Sequence, residues 1–357
     1  MREGSTISAI LELARWAPSG DNTQPWRFQI VRPDHVRVHG FDTRAHCVYD
    51  LDGHSSHIAL GALLETLRVA ATRFGRQAAF SRSPDSPDEK PVFDVHLPAQ
   101  NDLAEDPLAA YIRERRVHRR PLHTRTLRPQ EKLALRRAVG EQFELMWFET
   151  WRERLAVAWL NFSNAKIRLT IPEAYRVHRD VIAWGVQVSE DRIPAAAIGA
   201  SALTLAIMRW AMQSWNRVAF LNRYFAGTFA PRFELDLVPA LACGAHCAII
   251  ARQAPHTVED YVEAGRGLQR LWLTATKLGL QFQPQYTPIV FARYARGGLR
   301  FSQSEDALRR ADRIRAALDR LFGPEVAPRA VFIGRLGEGR PAHARSLRLP
   351  LERLLLA

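Results

Sequence analysis

The chain has 357 residues, 47% of them apolar, and carries 50 basic against 37 acidic side chains for a formal net charge of +13. The apolar share builds a substantial core and excludes a disordered chain, and the length admits two ordinary domains or one large two-lobed unit. Three cysteines (Cys47, Cys243, Cys247) are too few for a disulfide framework. The first residues lack a charged-then-apolar leader, and no stretch reaches the uninterrupted apolar length of a membrane span. A reducing cytoplasm is therefore the expected compartment, with no membrane partner. The positive charge is mostly arginine scattered along the chain and attracts anions, whether phosphorylated cofactors, nucleic acid or acidic lipid. Arginine's planar fork suits phosphate, so a nucleotide-like cofactor explains part of the excess as well as nucleic acid would.

Taken in order, Ile7, Ile10, Leu11, Leu13 and Ala14 recur at helical spacing, and Pro18 stops that helix. Ser19-Gly20-Asp21-Asn22-Thr23-Gln24-Pro25 then reads as a rigid polar loop before a strand-like run from Trp26. Its backbone amides and the side chains of Ser19, Asn22 and Gln24 suit a planar polar ligand, with Trp26 as an apolar wall. Residues 27–32 and 36–41 predict a hairpin across Pro33-Asp34. A long helix should run from Ser55 or Ser56 to Phe74, followed by strands at 78–81 and 92–97. The pattern predicts a helix over 103–116 that runs into Arg115-Arg116-Val117-His118-Arg119-Arg120.

Pro129 opens the next predicted helix, 143–148 reads as a strand, and 153–185 is helical with a break at Pro172. Residues 190–235 are rich in Trp, Phe, Tyr and Met, and predict one or two amphipathic helices that either pack into the core or form a lid over a flat ligand. A buried strand at 245–251 precedes a helix capped by Thr257 and ended by Gly279. A loop is expected over 291–302, then a helix over 305–322 stopped by Gly323-Pro324, then a last strand at 330–334.

Two of these helices match without a gap. Gly61 to Gly75 set beneath Gly265 to Gly279 share Gly, Leu, Leu, Ala, Thr and Gly at the same positions. Two amphipathic helices can coincide by chance; if the repeat is real, the chain is two copies of one unit facing each other.

Ala17-Pro18-Ser19-Gly20-Asp21-Asn22-Thr23-Gln24-Pro25-Trp26 resembles the APSxxNxQPW signature of the FMN-dependent nitroreductase family. Arg115-Arg116-Val117-His118-Arg119 resembles that family's RRSxR phosphate motif, with Val117 in the serine's place. The segment from Arg345 to Glu352 resembles its closing RxPLEE element. The resemblance implies an α+β, nitroreductase-like fold of the tandem single-chain branch, two half-repeats forming a pseudo-dimer. Residues 1–101 would be the first half and 102–357 the second, with 190–235 as an insertion. It further implies FMN between the halves, its ring held by Pro18, Ser19, Gly20, Asn22 and Gln24 and its phosphate by Arg115, Arg119 and Arg348. The flavin N5 would carry the chemistry, so no catalytic side chain is expected. NADH or NADPH would donate electrons, and a nitro, quinone or other conjugated small molecule would accept them. The chain would be a monomer with its pseudo-dimer inside, or a weak homodimer.

Two alternatives stand beside this reading: a flavin-storing protein without turnover, acting as an accessory elsewhere, and a basic nucleic-acid-binding protein, the less expected partner. The sequence has no GKS/T phosphate loop, GxSxG elbow or HExxH pair. Cys243-Gly244-Ala245-His246-Cys247 on a strand puts His246 on the opposite face from both cysteines, so no metal is expected. Gly334, Gly337 and Gly339 do not open a helix and make a weak dinucleotide candidate.

Overall fold

The computed structural model describes residues 3–356 of an α+β chain with two four-stranded antiparallel sheets. The first contains β1 (Trp26–Arg32), β2 (His35–Gly40), β3 (Ala79–Arg82) and β4 (Val92–His96), in spatial order β1-β2-β4-β3. The second contains β5 (Phe143–Phe148), β6 (Ala245–Ala251), β7 (Leu280–Pro284) and β8 (Ala330–Glu338), in spatial order β5-β6-β8-β7. Each sheet is built as strand, strand, long helix, strand, strand, with α2 (His54–Thr72) as the helix of the first and one from Val258 to Lys277 as that of the second. The second sheet differs by a long excursion, 149–244, between its first two strands.

The two long helices cross where the sequence repeat places its leading glycines. A Cβ on Gly61 would lie 1.9 Å from the Val262 carbonyl oxygen, and one on Gly265 would lie 2.0 Å from that of Ile58. Val262 precedes Gly265 by as many positions as Ile58 precedes Gly61, so a pseudo-twofold axis passes through the crossing. The glycines let two backbones touch, which is why they recur at matching positions. Gln269 donates to the Thr66 hydroxyl at 2.8 Å across the same interface.

One core lies between α1 (Glu3–Ala14), α2 and the first sheet, and it takes in Leu349, Leu351 and Leu354 from near the C-terminus. Leu355 bridges in parallel to Phe28, and Leu356 N–H donates to the Phe28 carbonyl at 2.7 Å. The two sheets thus lie either side of residue 102, while the last residues return to the first core. Gln24 holds that return: its Oε1 accepts from Leu349 N–H at 2.9 Å, and its Nε2 donates to the Glu190 carbonyl at 2.9 Å. Gln24→Ala should leave these buried groups unpaired and cost about 1–3 kcal/mol. Faster hydrogen exchange at the Leu349 amide, with the α2 amides still protected, is the expected readout.

Helices α3 (Pro129–Ala138), α4 (Trp151–Thr170) and α5 (Pro172–Val181) begin and break near the expected prolines. Two expectations are overturned. Residues 103–116 form only a short turn at Ala109–Tyr111 rather than a helix, because Pro107 interrupts the run and the chain beyond it bonds to β7. There Val117 bridges to Phe282, and His118 N–H donates to the Phe282 carbonyl at 3.0 Å. Residues 291–302 are not all loop, since a helix spans Thr287–Arg296 with Pro288 in its first turn and Ile289, Val290, Phe291 and Tyr294 buried. Residues 190–235 supply the helical hairpin α6 (Ala202–Ala211) and α7 (Trp215–Tyr224), each capped by a serine hydroxyl, Ser201 and Ser214. With these named, the helix Val258–Lys277 is α8.

Candidate functional site

The polar loop after α1 folds through an unusual backbone. Asp21 (φ +51°), Asn22 (φ +64°) and Gln24 (φ +48°) all occupy the left-handed region that non-glycine residues rarely enter. Three contacts hold them there. Ser19 Oγ accepts from Gln24 N–H at 2.9 Å, Asn22 Nδ2 donates to the Glu190 carbonyl at 2.9 Å, and Gln24 is tied as described above. Asn22 Oδ1 is buried without a partner among the described residues. Strain held by surrounding contacts is what a preformed ligand wall looks like.

This loop lines a cavity of about 450 Å³, within the usual range for a small-molecule site. Pro18, Ser19, Gly20 and Asn22 line it from the first half, and Arg115, Arg119 and Arg348 line it from the far stretches of sequence. Gln24 does not reach the cavity; it is fully buried behind the loop.

Arg115, Arg345 and Arg348 converge at one end. Arg115 Nη2 donates to the Trp16 carbonyl at 2.9 Å, its guanidinium stacks 4.5 Å from the Trp272 ring centre, and its Nε has no partner among the described residues. Arg348 donates to the Ala17 carbonyl at 2.8 Å and the Leu347 carbonyl at 2.6 Å. Arg345 donates to the Arg113 carbonyl at 3.1 Å and also has an unpartnered Nε. Burial, then the charges of Arg348 and Arg345, pushes the Arg115 guanidinium well below its ordinary pKa. Burial, then Arg345 and Arg15, pushes Arg348 down to about 9. Buried guanidiniums held on carbonyls and repelled by one another form a seat for an anion, which would take the orphaned donors and relieve the repulsion. Arg119 stands apart from this group: it donates to the Ala197 carbonyl at 3.0 Å and faces Asp21.

The other end mixes charges of both signs. Burial raises the Asp21 pKa against the pull of Arg119 and Arg168, and Arg168 pairs with Asp236 at 2.7 Å. The Tyr49 hydroxyl and His178 Nε2 are hydrogen-bonded at 2.9 Å. Burial, helped by Arg168, pushes His178 down to about 3, so the ring is neutral. Met208 and Met212 of the hairpin face this end. Sequence reasoning missed Tyr49, Arg168, His178, Asp236 and Arg345, which belong to no motif used there except Arg345, at the head of the closing element.

His246 is likewise pushed down by burial, to about 4, from an ordinary 6.5. Both histidines bind protons more weakly folded than unfolded, so below pH 6.5 the unfolded chain gains protons that the folded chain refuses. Stability should be full above that pH and fall by about 1.4 kcal/mol per unit for each histidine as the medium is acidified. Denaturant midpoints measured from neutral to acid pH check this, and His246→Gln should take about 1.4 kcal/mol per pH unit off the slope.

Other motif candidates resolve into packing. His118 is buried, with its Nε2 on the Arg340 carbonyl at 2.9 Å. His246 sits between Gln285 Oε1 and the Ala240 carbonyl, each at 2.8 Å, and no group of three metal-ligating side chains occurs among the described residues. A Cβ on Gly334 would meet the Phe282 ring at 2.4 Å, so that glycine serves sheet packing.

The pseudo-twofold axis relates the cavity to a second place across the α2–α8 crossing, and the chain has filled it. Where the cavity has Ala62 and Trp272, the related place has Arg266 and Arg68. Both reach the buried Glu65 carboxylate, at 3.3 and 2.6 Å, and Arg270 joins them at 3.0 Å.

Residues 4–162 match the family model described as Nitroreductase family. Two Mycobacterium tuberculosis proteins provisionally named NAD(P)H nitroreductases, from strains CDC 1551 and H37Rv, are each 33% identical over 119 residues. The matched stretch is 33% of this chain and spans about a third, 34%, of each of those proteins. An uncharacterized protein of M. tuberculosis CDC 1551 is 24% identical over 299 residues, 82% of this chain and 40% of that protein. A nitroreductase-like family protein from Bacillus cereus, 13% identical, superposes with a TM-score of 0.35 over 71% of this chain and 96% of its own, a likeness too slight to build on. The signature loop lies within residues 4–162, the stretch that matches the nitroreductase family model.

Proposed function

We propose that this chain binds one FMN in the cavity and uses it to pass hydride from NADH or NADPH to a nitro, quinone or other conjugated acceptor. The observation that supports this most is the group of buried, mutually repelling guanidiniums of Arg115, Arg345 and Arg348 at one end of a cavity walled by the strained Ser19–Asn22 loop. The donor set fits the group: the three arginines would take the phosphate, and Ser19, Asn22 and Arg119 would take the polar edge of the ring. FMN, when bound, would supply the hydride chemistry.

The chain's own residues would bind, orient and exclude water. The loop is preformed, so little ordering is needed on binding. The apolar faces of Ile58, Ala59 and Trp272 flank the space for a flat ring. Tyr49, hydrogen-bonded to a neutral His178, is a hydroxyl able to hold or hand on a proton at its oxygen. Purified protein should carry flavin absorbance and oxidise NADPH when a small nitroaromatic is supplied. Asn22→Ala, which removes the unpartnered Oδ1, should weaken FMN binding by about tenfold. Retention of full affinity would count against the loop's role.

One observation favours the second reading, in which flavin is stored without turnover: the α6–α7 hairpin covers the cavity with Met208 and Met212. Bound flavin with no NADPH oxidation would support storage. Salt-sensitive DNA binding without flavin would support the nucleic-acid reading instead.

A further inference from the structure

The hairpin that roofs the cavity has an outer face that none of the described residues covers. On α6, Leu203 (71% exposed), Ile207 (46%) and Trp210 (43%) recur at helical spacing along one stripe. On α7 and just beyond it, Phe220 (48%), Tyr224 (63%) and Phe225 (66%) are exposed as well, with Phe220 against both other rings. Both helices are capped and packed on each other through Ala211 and Val218, so these side chains are outward by construction. Large apolar side chains in such a group mark an interaction surface rather than a random scatter.

Charge says what kind. Between residues 202 and 225 there are three arginines, Arg209, Arg217 and Arg223, and no carboxylate. Arg217 lies 4.9 Å from the Trp210 ring centre and Arg223 lies 5.5 Å from that of Tyr224, so the cations flank the aromatic rings. A second copy docked here about a twofold axis would set this all-cationic face against itself. An anionic bilayer surface complements it, with Trp, Tyr and Phe at headgroup depth and arginines on the phosphates.

We propose that the α6–α7 hairpin docks this protein on the surface of an anionic membrane. Among the described residues no helix is long and apolar enough to cross a membrane, which concerns spanning and leaves surface docking open. The expectation of no membrane partner rests on the lack of a spanning segment, and surface docking is a separate question. Met208 and Met212 face the cavity from the same hairpin, so the docking element is also the roof of the site. The inference does not depend on what the cavity holds.

Sedimentation of the full chain with phosphatidylcholine vesicles, with and without phosphatidylglycerol, tests it. Binding to the anionic vesicles should be tighter by on the order of a hundredfold at low salt, and high salt should erase most of the difference. Leu203→Ser/Ile207→Ser/Tyr224→Ser should abolish vesicle binding while leaving the thermal midpoint unchanged, because all three side chains are exposed. Arg209→Gln/Arg223→Gln should remove the preference for anionic lipid. No vesicle binding by the unaltered protein, or binding that the triple variant leaves intact, would overturn the proposal. A dimer in sedimentation velocity that the triple variant dissolves, without vesicle binding, would assign the face to a second copy.

Discussion

Gly265→Ala is expected to destabilise the fold by about 3 kcal/mol or more, the upper end of what overpacking costs. Two effects oppose each other. Alanine is a better helix former than glycine by about 1 kcal/mol, which alone would stabilise α8. Against that, the new Cβ would stand 2.0 Å from the Ile58 carbonyl oxygen, 2.8 Å from its carbon and 3.0 Å from the Ala62 nitrogen. All three atoms are backbone, so no rotamer change relieves the clash, and α2 and α8 must separate. Separation loosens the packing on both sides, since Val258, Val262 and Leu273 of α8 pack in the core of the first sheet and Ile58 of α2 packs with Ile249, Phe282 and Leu336 of the second sheet. Gly61→Ala should behave alike, with Val262 O at 1.9 Å. The double variant should cost less than the sum, because one separation accommodates both methyl groups. Denaturant midpoints check this, and Gly265→Ala within about 0.5 kcal/mol of the parent would contradict the close crossing.

Arg115→Met is expected to weaken FMN binding by about 10- to 150-fold, the worth of a charge-assisted hydrogen bond in a buried site. Riboflavin, which has no phosphate, should bind the variant and the parent alike. Methionine keeps an apolar stem against Trp272, so the contrast isolates the charge. The cofactor-free protein should change by no more than about 1 kcal/mol, because losing the bond to the Trp16 carbonyl is offset by removing a buried charge that Arg345 and Arg348 repel. An equal loss for riboflavin would mean that Arg115 supports the wall and not the anion.

Much of this architecture is legible in the sequence where local chemistry and tertiary packing agree. Pro18 and the Ser-Gly-Asp-Asn run mark the loop because its positive φ angles demand turn-forming residues. The strands at 143–148 and 245–251 and the helix at 305–322 lie where their apolar patterns put them. The glycines of the repeat are readable as a pair, but their reason, two backbones in contact, needs the crossing. The sequence is silent where distant contacts decide. Residues 103–116 have helical periodicity, yet the chain leaves that path to bond with β7, a partner far along the sequence. Arg345 and Arg348 join Arg115 only because the last residues pass back to the first core through Gln24 and Phe28. Tyr49, Arg168 and His178 reach the cavity from three elements, and no spacing rule links them.

The most direct test of the central claim counts cofactors. Calorimetric titration of FMN into flavin-free protein should saturate at one equivalent per chain, since on the proposed reading the arginines would seat one phosphate, and the symmetry-related place is filled by Glu65, Arg68, Arg266 and Arg270. Saturation at two equivalents, or no saturable binding at all, would contradict it.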